Sequence, residues 1–348
     1  MSYFRPEIEA MEGYTPGEQP DSLSVVKLNT NENPYPPSPK VMEAIANIKP
    51  EQLRRYPHPL GKPFREMAAR IFDVTPDHIL CGNGMDDILN LTCRAFSGPE
   101  AALVYPVPTY TLYGVLGQIQ ASIIREVPWG VDYSLPFEAL VEARGAVTYL
   151  ANPNAPTGTF VPVDEVARLA DALRGVLCVD EAYVDFADAN CMELAKTRPN
   201  VLVMRTLSKG YSLAGLRFGF AVGHPELIAG LVKVKDSYNV DAVAIAAASA
   251  ALADQDYYRL TRRRVINERQ RLAAELEKLG ISCLPSKSNF LFARPTRPSA
   301  ARLYESLKAR GILVRYFNSP GIDDRLRITV GTPEQNDILI AALKELVS

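Results

Sequence analysis

Between residues 102 and 234, short apolar runs rich in β-branched residues alternate with stretches whose apolar spacing is close to 3.6, and few folds accommodate that rhythm. The runs lie at 102–105, 123–127, 147–150, 175–179, 201–205 and 218–222; the helical stretches lie at 163–173 and 225–234, with others at 40–48, 62–72, 84–96 and 109–118. Strands that are apolar along their whole length are buried on both faces, and helices between them supply the cover. The expectation is an α/β fold with a mainly parallel sheet sandwiched by helices.

The style changes on either side of this region. Residues 29–39, NTNENPYPPSP, cannot form a regular helix, because proline lacks the donor and restricts its predecessor. Segment 1–40 therefore reads as an extended arm. Beyond about 255, a charged amphipathic helix (256–279) ends at Gly280, and strands at 288–295, 311–317 and 325–331 accompany helices at 299–310 and 333–346. The chain divides into an arm (1–40), a large unit (41–250) and a small α+β unit (251–348).

The 348 residues carry 38 basic and 40 acidic side chains, a net charge of −2. So even a balance gives no electrostatic footprint for nucleic acid or an anionic membrane. Cys81, Cys93, Cys178, Cys191 and Cys283 are odd in number and form no C-x-x-C pair, which fits free thiols in a reducing compartment and no metal site. The N-terminus lacks the apolar stretch of a signal peptide, and the run 242–253 is too short to cross a bilayer. A cytoplasmic protein is expected.

Four loops carry chemistry, three of them after candidate strands. In TLSKGYSLAGLRFG (206–219), glycines allow close backbone approach, Thr206 and Ser208 offer hydroxyls, and Arg217 can fork onto a phosphate. Lys209 beside the like charge of Arg217 would become a better amine nucleophile; alternatively, the segment is a solvated surface loop. In VLCVDEAYVDF (176–186), Asp180 is either a helix cap or structural charge, or a carboxylate placed to hold a cationic ligand nitrogen, with Tyr183 close by. CGNGMDD (81–87) opens a helix whose free N–H groups suit a phosphate, and LANPNAPTGTF (150–160) is a proline-fixed turn. A lysine for a Schiff base, an aspartate for a pyridinium nitrogen, and an arginine with a helix start for a phosphate are together the requirements of pyridoxal 5'-phosphate.

With these residues the chain resembles the fold-type I pyridoxal-phosphate enzymes, and among them the histidinol-phosphate aminotransferase family. The resemblance runs from GYTPGEQP (13–20) and LNTNENPYPPSP (28–39) through RYPHP (55–59) to RLRITVGT (325–332). It implies a seven-stranded sheet. It also implies that Lys209 carries the cofactor and shuttles protons, that Asp180 keeps the pyridine nitrogen protonated, and that Tyr183 bonds the phenolic oxygen. Tyr110 would lie against the ring; Ser208, Arg217 and the backbone of Met85 and Asp86 would hold the phosphate. Tyr56 would reach the cofactor of a neighbouring subunit in a homodimer. Where the family pattern has an asparagine before P-T-G, this chain has Ala155; either Asn154 or a water takes over that bond to the phenolic oxygen, or Tyr183 makes it alone.

For the substrate, the resemblance places Arg327 on a carboxylate or phosphate, Arg315 as a second arginine for a phosphate dianion, and Tyr14 of the arm near it. The implied reaction is a reversible ping-pong exchange between L-histidinol phosphate and 2-oxoglutarate, giving imidazole-acetol phosphate and glutamate, in histidine biosynthesis. An aromatic amino-acid aminotransferase and a phosphothreonine decarboxylase on the same scaffold would share the cofactor residues; the GYTPGEQP arm favours histidinol phosphate.

Overall fold

The structure, a computed structural model, describes residues 2–14, 17–20, 25–130 and 132–347; Thr15 and Pro16 of GYTPGEQP lie outside them. A short strand β1 (Val26–Lys27) precedes the seven strands of one sheet. These are β2 (Ile79–Gly82), β3 (Leu103–Val107), β4 (Ile124–Pro128), β5 (Val147–Ala151), β6 (Val176–Asp180), β7 (Val201–Thr206) and β8 (Gly219–Gly223). Their spatial order is β2-β8-β7-β6-β5-β3-β4. Strands β3 to β7 are mutually parallel, and β8 runs antiparallel to both β7 and β2.

The pattern of burial explains the sequence rhythm. In β6, Leu177 and Val179 enter the core on one face of the sheet and Cys178 enters the core on the other. In β7, Val201 and Val203 face one core while Leu202 and Met204 face the other. Side chains alternate as any strand requires, but both faces are covered, so the run is apolar throughout. The covering helices include Pro39–Ala46, Lys62–Phe72, Met85–Phe96, Val163–Ala172 and Pro225–Val232, near their expected places. The helix expected at 109–118 starts later, at Leu112. Strand β2 and the short helices Phe137–Glu142 and Met192–Thr197 were not expected.

The C-terminal part forms a four-stranded antiparallel sheet. Its strands are β9 (Ile281–Cys283), β10 (Phe290–Pro295), β12 (Arg315–Tyr316) and β13 (Leu326–Thr329), in the order β12-β13-β10-β9. The run 311–317, expected as one strand, is two. Its first half, β11 (Ile312–Leu313), pairs parallel with β1, and after Val314 the chain crosses to pair with β13. The helix Gln255–Lys278 bridges the two sheets: buried Arg269 donates from Nη1 to the carbonyls of Phe186 (3.0 Å) and Ser288 (2.7 Å). Among the described residues no helix is long and apolar enough to cross a membrane.

Register sets where ligands can go. Ala151, Asp180 and Met204 lie side by side at the carboxyl ends of β5, β6 and β7, so the loops that follow open on one edge. Gly219 at the start of β8 lies opposite both Thr206 and Gly82. A Cβ on Gly219 would come within 2.6 Å of the Met85 amide nitrogen, so only glycine lets the loop ending at Arg217 sit against the start of helix Met85–Phe96.

Candidate active site

The four chemistry-bearing loops meet in one cleft of about 630 Å³, lined by Lys209, Asp180, Tyr183, Arg217, Arg315 and Arg327 among others. The size suits a small molecule. Lys209 is held at its base, where Asn33 Nδ2 donates to the Lys209 carbonyl (2.9 Å), and at its tip, where Nζ donates to the Thr30 carbonyl (3.2 Å). Burial first, and Arg327 second, lower its pKa from 10.5 to about 8. Arg217, named as the cause from sequence, is the weakest contributor. The reason is geometric: the Arg217 guanidinium is half exposed and paired with Asp86 at 3.1 Å, which neutralises its field.

Asp180 is buried at the end of β6, accepting from Tyr113 Oη (2.5 Å) and from the Ala182 amide (3.0 Å). It is neither a helix cap nor half of an ion pair. Burial pushes its pKa up to about 6, against the opposing pull of the Tyr113 bond. A carboxylate kept this dry, in a cleft, is suited to a cationic nitrogen.

The anion end is built from both neighbours of Gly219. Met85 and Asp86 open their helix, whose first N–H groups have no partners within it. Gly84 has φ +81°, and a Cβ there would lie 2.6 Å from Arg217 Nη2. Thr206 Oγ1 donates to Ser208 Oγ (2.9 Å) and accepts from the Ser208 amide (3.1 Å), fixing the turn. The Asp86 carboxylate, used from sequence only for its backbone, bridges Arg217 Nη2 and Tyr110 Oη (3.2 Å). Tyr110 in turn packs edge-on against Tyr14, with ring centroids 5.9 Å apart.

Opposite stand the two arginines from the small sheet. Arg315 and Arg327 are register partners on β12 and β13 and both line the cleft. Arg327 donates from Nη2 to the Asn29 carbonyl (2.8 Å), and its Nε is buried with no partner. An unpaired buried guanidinium donor is a place for an anionic oxygen. An amine, a dry carboxylate, an anion cradle and a second pair of cations form a donor set that fits pyridoxal phosphate and an anionic substrate.

Two sequence expectations need separate treatment. Asn154 does not face the cleft. Its Oδ1 accepts from Thr109 Oγ1 (2.9 Å) and its Nδ2 donates to the Pro108 carbonyl (3.1 Å) and Thr157 Oγ1 (2.9 Å), so the amide is consumed in joining two loops. Ala155, the neighbour, lines the cleft instead. Asn154→Ala should lower stability by about 2 kcal/mol. A lower melting temperature with unchanged cofactor absorption is the expected result. Tyr56 also lies outside this cleft; it is 80% exposed and stacks on Tyr238 at 4.4 Å.

Sequence reading missed Tyr113, the donor to Asp180, and Asn31, whose Nδ2 donates to Tyr183 Oη (2.9 Å). Tyr113 lies three residues beyond Tyr110 in PTYTLY, close enough in sequence to have suggested a shared site. For Asn31 the signal was the density of asparagine in NTNEN, a residue that tolerates left-handed backbone.

The family model described as "Aminotransferase class I and II" matches residues 24–343. The chain is 50% identical over 347 residues to "Histidinol-phosphate aminotransferase 1" of Trichormus variabilis, covering 99% of each protein. It is 45% identical to the "Histidinol-phosphate aminotransferase" of Citrifermentans bemidjiense, again over 99% of each. Among solved structures, it is similar to histidinol-phosphate aminotransferase from Sinorhizobium meliloti in complex with pyridoxal-5'-phosphate. The TM-score is 0.91 at 28% identity, covering 100% of this chain and 98% of that one.

Proposed function

This chain belongs to the class I and II aminotransferases, and from that premise we propose that it exchanges an amino group between L-histidinol phosphate and 2-oxoglutarate, using pyridoxal 5'-phosphate, in histidine biosynthesis. The observation that carries the substrate choice is the pair Arg315 and Arg327, at matched positions on adjacent strands, facing the same cleft as Lys209. A carboxylate needs one guanidinium fork; a phosphate dianion uses two.

When bound, the cofactor supplies an electron sink on which the amino group is carried between the two substrates. Lys209 Nζ would hold the cofactor and, when released from it, would carry a proton to and from the substrate carbon that bears nitrogen. Asp180 holds the proton on the ring nitrogen, and the Tyr113 hydroxyl keeps that carboxylate aimed. Tyr183 donates to the phenolic oxygen. Arg217, Ser208, Thr206 and the amides of Met85 and Asp86 would hold the phosphate, and Tyr110 would pack against the ring. Arg327, Arg315 and Tyr14 bind the substrate's anionic end. We further propose a cytoplasmic homodimer, in which the exposed Tyr56 serves the partner's cofactor. The arm (1–40), the cofactor-holding unit (41–250) and the small unit (251–348) each contribute to the cleft, through Thr30, Lys209 and Arg327 among others.

A single-turnover spectrum tests the reading. The holoenzyme is mixed with histidinol phosphate, phenylalanine or phosphothreonine without keto acid. Loss of the cofactor's visible band at far lower histidinol phosphate than phenylalanine supports it. A preference for phenylalanine would make the protein an aromatic aminotransferase, and carbon dioxide released from phosphothreonine a decarboxylase. Arg315→Met should narrow the kcat/KM advantage of histidinol phosphate over phenylalanine by roughly 10- to 30-fold, the worth of one charge-assisted bond to the second phosphate charge. An unchanged ratio would return Arg315 to an ordinary strand residue.

A further inference from the structure

We propose that Asn31 is a positioning residue of this site, holding the Tyr183 hydroxyl so that the phenol's own proton points into the cleft toward the cofactor's phenolic oxygen. The inference rests on the cofactor reading above and adds a residue to it. Asn31 is 1% exposed and sits at φ 55°, a left-handed conformation that asparagine accepts better than most side chains. Its carbonyl accepts from Asn289 Nδ2 (3.0 Å), so the residue is fixed from a second side.

The directions of the hydrogen bonds follow from one hydroxyl. Thr329 Oγ1 accepts the Asn31 backbone N–H (3.0 Å), so its single proton is free to go to Asn31 Oδ1, also 3.0 Å away. That makes Oδ1 the acceptor end of the amide and Nδ2 the donor end. Nδ2 faces Tyr183 Oη at 2.9 Å, and the phenol oxygen must therefore accept. Among the described residues this is the one hydrogen bond made by that hydroxyl, and Tyr183 lines the cleft, so its proton is left for whatever occupies the cleft. A tyrosine free to rotate could point its proton at several acceptors; one that already accepts from a rigid amide has its donor direction restricted. The charged groups around Tyr183 are Arg327, Lys209, Asp180 and Asp86. None of them donates to its oxygen in place of Asn31.

The test is the pH titration of the visible band in wild-type holoenzyme, Asn31→Gly, Tyr183→Phe and the double variant. Glycine accepts the backbone angle, so Asn31→Gly deletes the amide with little strain. A hydrogen bond donated to the phenolic oxygen stabilises its deprotonated form, so weakening that bond raises the midpoint. Asn31→Gly should raise it by roughly 0.5 to 1 pH unit and Tyr183→Phe by more. In the double variant the midpoint should equal that of Tyr183→Phe, because the amide acts only through the hydroxyl. Thr329→Val removes the hydroxyl that orients the amide and should shift the midpoint in the same direction by less.

Midpoints for Asn31→Gly and Thr329→Val that match wild type, while Tyr183→Phe moves, overturn the proposal and leave the cofactor reading standing. An equal shift from Asn31→Gly in both backgrounds also overturns it. Should Asn31→Gly not fold, an unshifted Thr329→Val decides against it. A wild-type protein that never develops the band overturns both readings together.

Discussion

Lys209→Ala removes turnover: kcat should fall by roughly 10,000-fold or more, and the visible band of the holoenzyme should vanish with it. Both effects come from one atom. Nζ is the attachment point and the proton carrier, and among the described residues no second lysine lines the cleft. The fold should survive, since the side chain makes a single hydrogen bond, to the Thr30 carbonyl. The lowered pKa adds a pH signature. With the amine titrating near 8 instead of 10.5, the rate at which cofactor-free protein captures pyridoxal phosphate should climb about tenfold per pH unit below 8 and level off above it. Stopped-flow absorbance measures this. A climb continuing to pH 10 would mean an ordinary solvated lysine, and a band retained in the alanine variant would put the attachment elsewhere.

Asp180→Asn has effects of opposite sign on activity and stability. Activity should drop by roughly 100- to 10,000-fold, because a neutral amide cannot hold the proton on the ring nitrogen. Stability of the cofactor-free protein should rise. In the folded state the carboxyl titrates near 6, above its ordinary 3.8. The folded state thus binds the proton more tightly, and stability falls as pH rises from about 4 to 6. At neutral pH the charge costs about 3 kcal/mol. Asparagine removes that cost but leaves either the Tyr113 or the Ala182 bond poorly matched. The expected net gain is about 1–2 kcal/mol at pH 8, reversing to a loss of about 1 kcal/mol near pH 4, where the wild-type carboxyl is mostly protonated and only the poorly matched bond remains. Thermal melts of the two cofactor-free proteins across that range test it; a variant less stable than wild type at pH 8 would show that the carboxylate is compensated by something other than ligand.

Much of this was legible in the sequence, for definite reasons. Strands such as 201–205 declared themselves because burial on both faces leaves no room for polar residues. Lys209 and Asp180 were legible because each lies at or just beyond the carboxyl end of such a strand, where open sheets bind ligands. What failed were features decided by distant partners. The four residues of β2 become a strand only through β8, and 311–317 splits because its halves answer to β1 and β13. Asn154 was named only because Ala155 stands where the family pattern has asparagine, and only the fold shows its amide bonded to Thr109, Pro108 and Thr157 instead. Tyr113 and Asn31 act on other side chains, Asp180 and Tyr183, that are distant in sequence, so their roles emerge only once the chain is closed.

The hydrogen bond between Asn31 and Thr329 spans 298 positions, and β1 waits for β11 at residues 312–313. During synthesis the chain emerges from its N-terminus at a few residues per second. Residues 26–31 are therefore made well before their partners. The strands that carry Asp180 and Lys209 can pair long before then, but the cleft cannot close around the lysine until residue 329 has left the ribosome. A chain stopped before residue 312 would lack both the partner of β1 and Arg327, the second of the causes that lower the pKa of Lys209.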